Sequence, residues 1–568
     1  MHWTFYIILT LPSLIYALIP SVTLPHGVVE GGIGTTVNSN SFYKFEGIPY
    51  AKPPVNNLRF EPPQDPEPWL GIWKANITTA CIQYDHLTRD TEQNYVIHGD
   101  EDCLYVNVYT KSLDQNANLD VLFHIHGGAL MFGSGAIYGP EIIMEKNLVY
   151  VNFNYRLGPL GFLSTEDEVL PGNMGLRDQI KALHWTKRFI KYFGGNPESI
   201  TVQGFSAGAG SSHLHYFLPE SAGLFKAGIS HSGSSLNSWM LVEQAKQKTQ
   251  QLANFVGCPA DNSAEIVACL KTKPARQIVQ TTHIFQEFLY NPFSPFGVVI
   301  DGYWSKNPVL PDHPYKLLQQ GKVYDVPWLI SYTTSEGLYP TADFYGNDEY
   351  LYQIDTEWNK IAPLILDYNN TVYPEWKDVV NDRIKDHYFG ENQVTMNTFS
   401  IFVKLVTDRL FLTDIEKAAR LHASVTKSPV YMYNFNYNGS TSFSNILTGI
   451  DKHLGVSHGD DVILVFKLNG LDSLQTEKDK EISEVLLNAI TSIMKNRKPI
   501  VPGISWTPLP KTTKGSFEML QITNTGDLKL LIRKFIGQSK FWNKLPLQEN
   551  EKLFIKKEHN IESCSEDY

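Results

Sequence analysis

The chain has 568 residues, of which 42% are hydrophobic, 12% aromatic and 19% charged. This composition is typical of a folded protein with a large apolar core, and it excludes an intrinsically disordered chain. The net charge of −11 and the isoelectric point near 5.9 argue against nucleic acid as a partner and give no indication of a basic membrane-binding surface.

The first residues, 1–21, predict a secretory signal peptide. They contain a short apolar core that begins at Phe5, and Ala17 or Ser21 supplies a small residue for cleavage. Two prolines and the short length oppose an uncleaved membrane-spanning helix. No later run of about 18 uncharged apolar residues occurs, so no transmembrane segment is expected. The sequence therefore predicts a secreted, extracellular protein.

Five cysteines indicate a possible disulfide framework: Cys81, Cys103, Cys258, Cys269 and Cys564. In an oxidising compartment the first four can pair, and joining neighbours closes the shortest loops, but spacing alone leaves the connectivity open. Cys564 lies in a charged tail, where it either stays free or pairs with another chain. Three N-glycosylation sequons are consistent with secretion: Asn76, Asn369 and Asn438.

Predicted strands alternate with predicted helices along most of the chain. After short strands between residues 35 and 59, strands are expected at 102–109, 120–125, 148–155, 199–203, 227–232, 326–332 and 429–436. Helical spacing covers 175–192 and 483–495, the stretch 350–425 is largely helical, and 240–300 is helical and irregular. This alternation predicts an α/β fold with a mostly parallel sheet and helices on both faces. No repeat or long linker divides it, so one domain is expected over 22–550, followed by a charged tail, 551–568.

A G-x-S-x-G motif stands between a predicted strand and a predicted helix, at Gly204 to Gly208 with Ser206 in its centre. This is the pattern of a nucleophile elbow, whose turn is too sharp for side chains at the flanking positions and lifts the serine oxygen clear of the sheet. A chain of this length contains such a motif about 0.2 times by chance. The motif alone is therefore only suggestive.

A serine nucleophile needs an imidazole base and a carboxylate that orients it, and in this fold they follow in the order Ser, Asp/Glu, His. Glu336 comes directly after a predicted strand and before a glycine. His458 lies in a glycine-flanked loop after a later strand, but His453 satisfies the order equally well. Gly455 and Gly459 favour His458 only mildly.

The run from His126 to Ala129 (His-Gly-Gly-Ala) ends a predicted buried strand and matches the HGGG-type loop of oxyanion holes. Small residues allow backbone amides to turn toward a tetrahedral oxyanion, and each donor contributes about 3–4 kcal/mol. The expected donors are the amides of Gly128, Ala129 and Ala207. A metal pair at His124 and His126 is the alternative, but no nearby carboxylate or cysteine completes a ligand set. No metal and no cofactor are expected.

Together these motifs resemble those of the carboxylesterase/cholinesterase family, and specifically the type-B carboxylesterases of the α/β-hydrolase fold. The residues within the motifs are most similar to those of insect esterases. The resemblance covers nearly the whole chain, through Phe45–Ala51, Glu101–Tyr109, the His126 loop, Asn154–Gly158, Gly204–Gly208, Ser335–Gly337 and Gly455–Asp461. It implies a serine carboxylesterase that forms an acyl-enzyme on neutral, small-molecule carboxylic esters. It also implies that Ser206, Glu336 and His458 are the triad, which selects His458 over His453.

The resemblance implies further pairings and neighbours. These are disulfides Cys81–Cys103 and Cys258–Cys269, ion pairs Arg59–Glu101 and Arg156–Asp178, and positions near the site for Ser232 and Trp239. Two departures from the family pattern stand out. Ala129 replaces a glycine but keeps its amide, and Phe205 stands where cholinesterases carry Glu and juvenile-hormone esterases usually carry Gln.

Two alternatives remain at this stage. One is a catalytically silent adhesion or binding protein, but such relatives typically lack a triad member, and all three positions are present here. The other is a lipase, for which no lid stands out. The first disulfide loop has Tyr84 and Tyr95 but no tryptophan, and a tryptophan face is the best partner for a quaternary ammonium. With Phe205 this predicts an apolar pocket that prefers neutral esters over choline esters.

Overall fold

The computed structural model describes residues 19–89, 94–468 and 471–553. Most of the predicted signal peptide, most of the predicted tail, and Cys564 lie outside these residues. The central element is an 11-stranded sheet. Its strands are β1 (Gly32–Thr35), β2 (Ser41–Pro49), β3 (Tyr105–Thr110), β4 (Leu119–Ile125), β5 (Val149–Phe153), β6 (Gly195–Phe205), β7 (Ala227–His231), β8 (Trp328–Thr333), β9 (Val430–Phe435), β10 (Phe517–Ile522) and β11 (Leu528–Arg533).

The strand order across the sheet is β11-β10-β9-β8-β7-β6-β4-β5-β3-β2-β1. All pairs from β10 to β5 are parallel, and the pairs beyond them at both edges are antiparallel. Parallel strands need crossover connections, and helices supply them here. Since the carboxyl ends of parallel strands lie at one edge, the loops that follow β6, β7 and β8 meet there.

Apolar packing covers both faces of the sheet, as residue alternation along β4 illustrates. Val121 and Phe123 join one buried cluster with the helix Met174–Phe189, while Leu122 joins a second cluster with the helix Glu477–Asn496. Successive side chains of a strand point to opposite faces, so a strand buried on both sides reads as a continuous apolar run. The mostly parallel sheet with helices on both faces, as predicted, is confirmed.

The other α-helices connect the strands or form insertions at the carboxyl edge. They are Gly158–Phe162, Ala207–Leu214, Ala245–Phe255, Ser263–Thr272, Ala275–Gln280, Pro314–Gln319, Leu338–Thr341, Asp348–Thr356, Trp358–Ile365, Lys377–Phe389, Phe399–Thr407, Thr413–Val425, Phe443–Thr448, Ser539–Trp542 and Gln548–Leu553. In the described part of the chain, no helix has the length and hydropathy of a membrane span.

Several boundaries differ from the sequence prediction. The helix Glu477–Asn496 begins six residues before the predicted start at Ser483, because Thr476 and Asp479 form a capping box around a charged first turn. The charged first turn lacks apolar residues at helical spacing, so the hydrophobic pattern does not indicate a helix there. Two hairpins also escaped prediction. One joins β10 to the edge strand β11, and the other pairs Gln83–Arg89 with Tyr95–His98 inside the first disulfide loop. A small sheet of Ser21–Leu24, Gly27–Glu30 and Ile72–Lys74 packs beside the main one.

Two disulfides and two largely buried ion pairs link loops and helices outside the sheet. Cys81 is joined to Cys103 and Cys258 to Cys269, as the family resemblance implied. The Arg59 guanidinium makes two 2.6 Å hydrogen bonds to the Glu101 carboxylate. Arg156 makes two bonds of 2.7 Å to Asp178, which is fully buried. Bidentate geometry of this kind fixes orientation as well as charge.

Candidate active site

The turn after β6 has the geometry of a nucleophile elbow. Ser206 has φ 58° and ψ −122°, and the helix Ala207–Leu214 begins at the next residue. A Cβ on Gly204 would lie 2.0 Å from the Gly208 carbonyl oxygen, and one on Gly208 would lie 2.0 Å from the Ile125 carbonyl oxygen. Only glycine fits at both positions. A strained serine backbone between two such glycines is the arrangement that exposes Oγ at the sheet edge.

The carboxylate of Glu336 is fully buried at the end of β8 and accepts three hydrogen bonds. Its Oε1 accepts from Ser232 Oγ at 2.6 Å and from the Thr333 amide at 2.7 Å. Its Oε2 lies 2.5 Å from His458 Nδ1. In the structure, the histidine that contacts Glu336 is therefore His458. His453, the rival candidate, is exposed, and its Nδ1 accepts from the Gly455 amide.

The ring of His458 packs directly against the elbow. The Phe205 ring lies 4.6 Å from it between centroids, and a Cβ on Gly459 would meet that same phenyl ring at 2.9 Å. His458 Nε2 is buried and has no hydrogen-bond partner within the described ranges, and no hydrogen bond joins it to Ser206 Oγ. Hydrogen bonds of catalytic groups are often long without substrate and shorten when substrate binds. Nε2 is thus the nitrogen left free for proton transfer.

The loop after β4 brings the predicted oxyanion donors beside the nucleophile. A Cβ on Gly127 would lie 3.1 Å from Ser206 Cβ. The backbone turns at Gly128 (φ 109°) and Ala129 (φ 56°). Within the described residues, the amides of Gly128, Ala129 and Ala207 donate no hydrogen bond to another group. Three unpaired donors next to Ser206 are what an oxyanion hole requires.

Aromatic side chains enclose the His458 ring. Phe411 lies 4.7 Å away and Tyr339 stacks at 5.6 Å with 19° between planes. Phe411 belongs to a π-helical turn, Asp408–Leu412, where the backbone hydrogen-bond pattern is interrupted. The Leu410 carbonyl in this turn accepts from Trp239 Nε1 at 2.8 Å, which places Trp239 in the wall behind Phe411. Such π-turns are frequent at functional sites.

One site residue was missed by the sequence analysis. His86, in the first disulfide loop, is buried, its Nε2 lies 3.0 Å from Tyr339 Oη, and its ring stacks on Tyr290 at 4.4 Å. Burial lowers the pKa of His86 to about 4, so the ring is neutral near pH 7. Tyr84 packs on Tyr95 instead. The available signal for His86 was its position two residues after Tyr84, on the same face of one strand.

A second buried carboxylate–imidazole pair lies behind the elbow. Asp461 Oδ2 is 3.1 Å from His231 Nδ1 and accepts from Tyr433 Oη at 2.8 Å and Ser331 Oγ at 3.0 Å. Burial opposes the charge, but these hydrogen bonds outweigh it and hold the pKa of Asp461 below its usual value. The His231 carbonyl accepts from the Ser206 amide at 2.9 Å. The pair therefore links the loop that carries His458 to the turn at Ser206.

The two histidines considered as a metal pair each pack against aromatic rings. His126 stacks on Tyr155 at 4.3 Å, its Nδ1 lies 2.7 Å from the Gly127 carbonyl oxygen, and burial lowers its pKa to about 4. His124 is fully buried between Tyr138 and Phe466. Across the described ranges, no three His, Cys, Asp or Glu side chains form a group able to hold a metal ion.

An eleven-stranded, mostly parallel sheet with a strained serine elbow at its carboxyl edge defines an α/β-hydrolase. The nearby imidazole–carboxylate pair and the free loop amides are typical of the enzymes of that fold that cleave esters. Residues 19–536 match the carboxylesterase family model, and the chain belongs to this family. It is a carboxylic ester hydrolase.

The relatives agree over nearly the full length. The chain is 38% identical to venom carboxylesterase-6 of Apis mellifera over 537 residues, which is 94% of this chain and 95% of the relative. It is 39% identical to esterase FE4 of Myzus persicae, over 89% of each chain. Among solved structures, juvenile hormone esterase from Manduca sexta, with OTFP covalently attached, superposes with a TM-score of 0.79 at 26% identity, covering 94% of this chain and 99% of that one.

Proposed function

We propose that the protein is a secreted serine carboxylesterase that hydrolyses neutral carboxylic esters through an acyl-enzyme, with Ser206 as nucleophile, His458 as base and Glu336 as orienting acid. The observation that carries this proposal is the 2.5 Å contact between His458 Nδ1 and Glu336 Oε2 beside the strained elbow. With Nδ1–H donated to the carboxylate, Nε2 is the basic nitrogen that would accept the Ser206 proton.

In the acylation step Ser206 Oγ attacks the ester carbonyl carbon, and its proton passes to His458 Nε2. The carbonyl electron pair moves to oxygen, where the amides of Gly128, Ala129 and Ala207 stabilise it. Collapse of this intermediate breaks the ester C–O bond, and the imidazolium donates its proton to the leaving alkoxide. Glu336 stays ionised throughout and stabilises the imidazolium.

In the deacylation step water attacks the acyl carbon while His458 accepts one of its protons. The second tetrahedral intermediate uses the same three amides, and its collapse returns the proton to Ser206 Oγ and releases the carboxylic acid. The two steps split one difficult hydrolysis into two easier ones. Covalent attachment of a compound in the related solved structure is consistent with a fold that forms such adducts.

The substrate preference follows from the lining of the site. Phe205, Tyr339 and Phe411 surround His458 with ring carbons, and His86 is neutral near pH 7. None of these side chains carries a negative charge, and none is the tryptophan that best holds a quaternary ammonium. Neutral esters are therefore preferred over choline esters.

Secretion and processing are part of the same proposal. We place a signal peptide at residues 1–21, one catalytic domain at 22–550 and a charged tail at 551–568. Two disulfides need an oxidising compartment. Asn76 and Asn438 are exposed, while Asn369 is half-buried and its Oδ1 accepts from Lys377 Nζ at 2.9 Å, so the first two are the preferred glycan sites.

Replacement of the nucleophile tests the proposal. Ser206→Ala should abolish hydrolysis of p-nitrophenyl butyrate, with a loss of several orders of magnitude in kcat, while circular dichroism and Tm stay unchanged. An organophosphate should label the wild type once per chain and the variant not at all. A variant that still turns over ester, or is labelled at another serine with activity kept, would refute the assignment. A silent binding protein would show no turnover even as the wild type.

A further inference from the structure

The loop that carries the predicted oxyanion amides has an unusual backbone conformation, in which the Gly128 carbonyl accepts from the Met131 and Phe132 amides at 2.8 and 2.9 Å. Two consecutive non-glycine residues have left-handed φ angles, 56° at Ala129 and 61° at Leu130, between Gly128 at 109° and Gly133 at 108°. Side chains in this region are disfavoured by contact of Cβ with the backbone. Such a conformation persists only where surrounding groups impose it.

Several bonds from outside fix the beginning and middle of the loop. Tyr155 Oη donates to the His126 carbonyl at 3.0 Å, and Ser294 Oγ donates to the Ala129 carbonyl at 2.8 Å. The Gly158 amide donates to the Leu130 carbonyl at 2.8 Å. None of these groups touches the far end of the loop at Gly133.

At that end a single side chain makes both bonds. Gln83 Oε1 accepts from the Gly133 amide at 2.6 Å, and Gln83 Nε2 donates to the Gly133 carbonyl at 3.0 Å. The same Nε2 also donates to the Cys81 carbonyl at 2.8 Å, which ties the loop to the first disulfide. Gln83 is 2% exposed, so bulk water does not replace these bonds.

Fixing Gly133 also fixes the start of the loop. A Cβ on Gly133 would lie 2.6 Å from the Gly127 carbonyl oxygen, and one on Gly127 would lie 3.1 Å from Ser206 Cβ. The two ends of the loop are thus in contact with each other, and one end is in contact with the nucleophile. A shift at Gly133 therefore moves the amides of Gly128 and Ala129 relative to Ser206.

We propose that Gln83 is a positioning residue that holds the oxyanion loop in place beside Ser206. The side chain of Gln83 touches neither the substrate nor the reacting atoms, and it acts on the transition state only through the position of the loop. This inference rests on the oxyanion role proposed above. Since preorganised donors act where charge develops, loss of Gln83 should weaken the transition state more than the bound substrate.

The test compares Gln83→Leu and Gln83→Glu with the wild type. Glu keeps the shape and the acceptor for the Gly133 amide but lacks both N–H donors. We expect kcat for p-nitrophenyl butyrate to fall about 10- to 100-fold with KM within about 3-fold. A trifluoromethyl ketone, which adds to the serine and forms a tetrahedral oxyanion, should bind more weakly by the same factor as kcat/KM. The matching trifluoromethyl alcohol has the same shape without the carbonyl and should bind unchanged.

Asn381→Leu is the matched control. Asn381 is a fully buried amide in the helix Lys377–Phe389, and it accepts from Tyr368 Oη at 2.6 Å and donates to the Asn359 carbonyl at 3.1 Å, and neither partner belongs to the site described above. It should lower Tm without changing the ratio of ketone to alcohol affinity. The proposal is overturned if the Gln83 variants keep that ratio, or if Asn381→Leu changes it equally. Failure of the wild type to bind the ketone would instead refute the oxyanion role itself.

Discussion

Replacing Glu336 with glutamine probes the tautomer of the base without changing its shape. The carboxylate has one oxygen on His458 Nδ1 at 2.5 Å and the other on two donors, Ser232 Oγ and the Thr333 amide. A glutamine has one oxygen and one NH2 group in place of the two carboxylate oxygens. Its NH2 group must therefore face a group that donates a hydrogen bond in the wild type. Either orientation is a defect, but the two have different consequences.

If the NH2 faces His458, Nδ1 must accept and the proton moves to Nε2, which can then take no proton from Ser206. If the NH2 faces Ser232 and Thr333, a buried amide loses its partner at a cost of about 1–3 kcal/mol. The first orientation leaves the other bonds intact and should therefore dominate. A wrong tautomer of this kind costs about 10⁴ in kcat in a serine protease, which is about 5.5 kcal/mol of transition-state stabilisation.

The assay is steady-state hydrolysis of p-nitrophenyl butyrate, with Tm from calorimetry on the same preparations. Glu336→Gln should lose about 10⁴ in kcat with Tm nearly unchanged. Ser232→Ala is the control, because it removes one donor from the same carboxylate and keeps the tautomer, and its loss should stay within about 10-fold. More than a few per cent of wild-type activity in Glu336→Gln, or equal losses in both variants, would refute the reasoning.

Three further outcomes are expected. The kcat/KM for 1-naphthyl acetate should exceed that for acetylthiocholine by at least about 10-fold, and equal values would contradict the apolar pocket. Asp461→Asn should lower kcat about 10-fold with little change in KM, because Asp461 links the base loop to His231; an unchanged kcat would count against that link. Acidification from pH 7 to pH 5 should lower Tm, and a flat Tm would be inconsistent with neutral buried histidines.

The expected loss of stability at low pH comes from histidines that are buried in the neutral form. Burial lowers the pKa of six fully buried histidines, so the unfolded chain takes up protons below about pH 6.5 that the folded chain excludes, and stability falls as the pH falls. These histidines are His86, His124, His126, His213, His215 and His422. Each contributes up to about 2 kcal/mol at pH 5. Burial raises the pKa of Asp343 and Asp367 to about 6 and of Asp460 to about 7, and these carboxyls recover about 1–3 kcal/mol each. The histidines outweigh them.

The sequence by itself determined the elbow and the fold class. At Gly204 and Gly208 a Cβ would collide with backbone at 2.0 Å, so the turn leaves no choice of residue and the motif is readable locally. The alternation of strands and helices is equally local, because a strand buried on both faces must be apolar throughout. Family membership followed from the same short motifs.

Only the tertiary structure decided which groups meet. Without the family resemblance, the flanking glycines favour His458 over His453 only mildly, and the fold separates them by bringing Glu336 to His458 while exposing His453. Gln83 reaches Gly133 across 50 residues, and His231 reaches Asp461 across 230. Helical and strand periods encode which face a residue occupies, but they do not encode which distant segment lies against that face. Those contacts depend on the strand order of the sheet, which places the loops from distant parts of the chain at one edge.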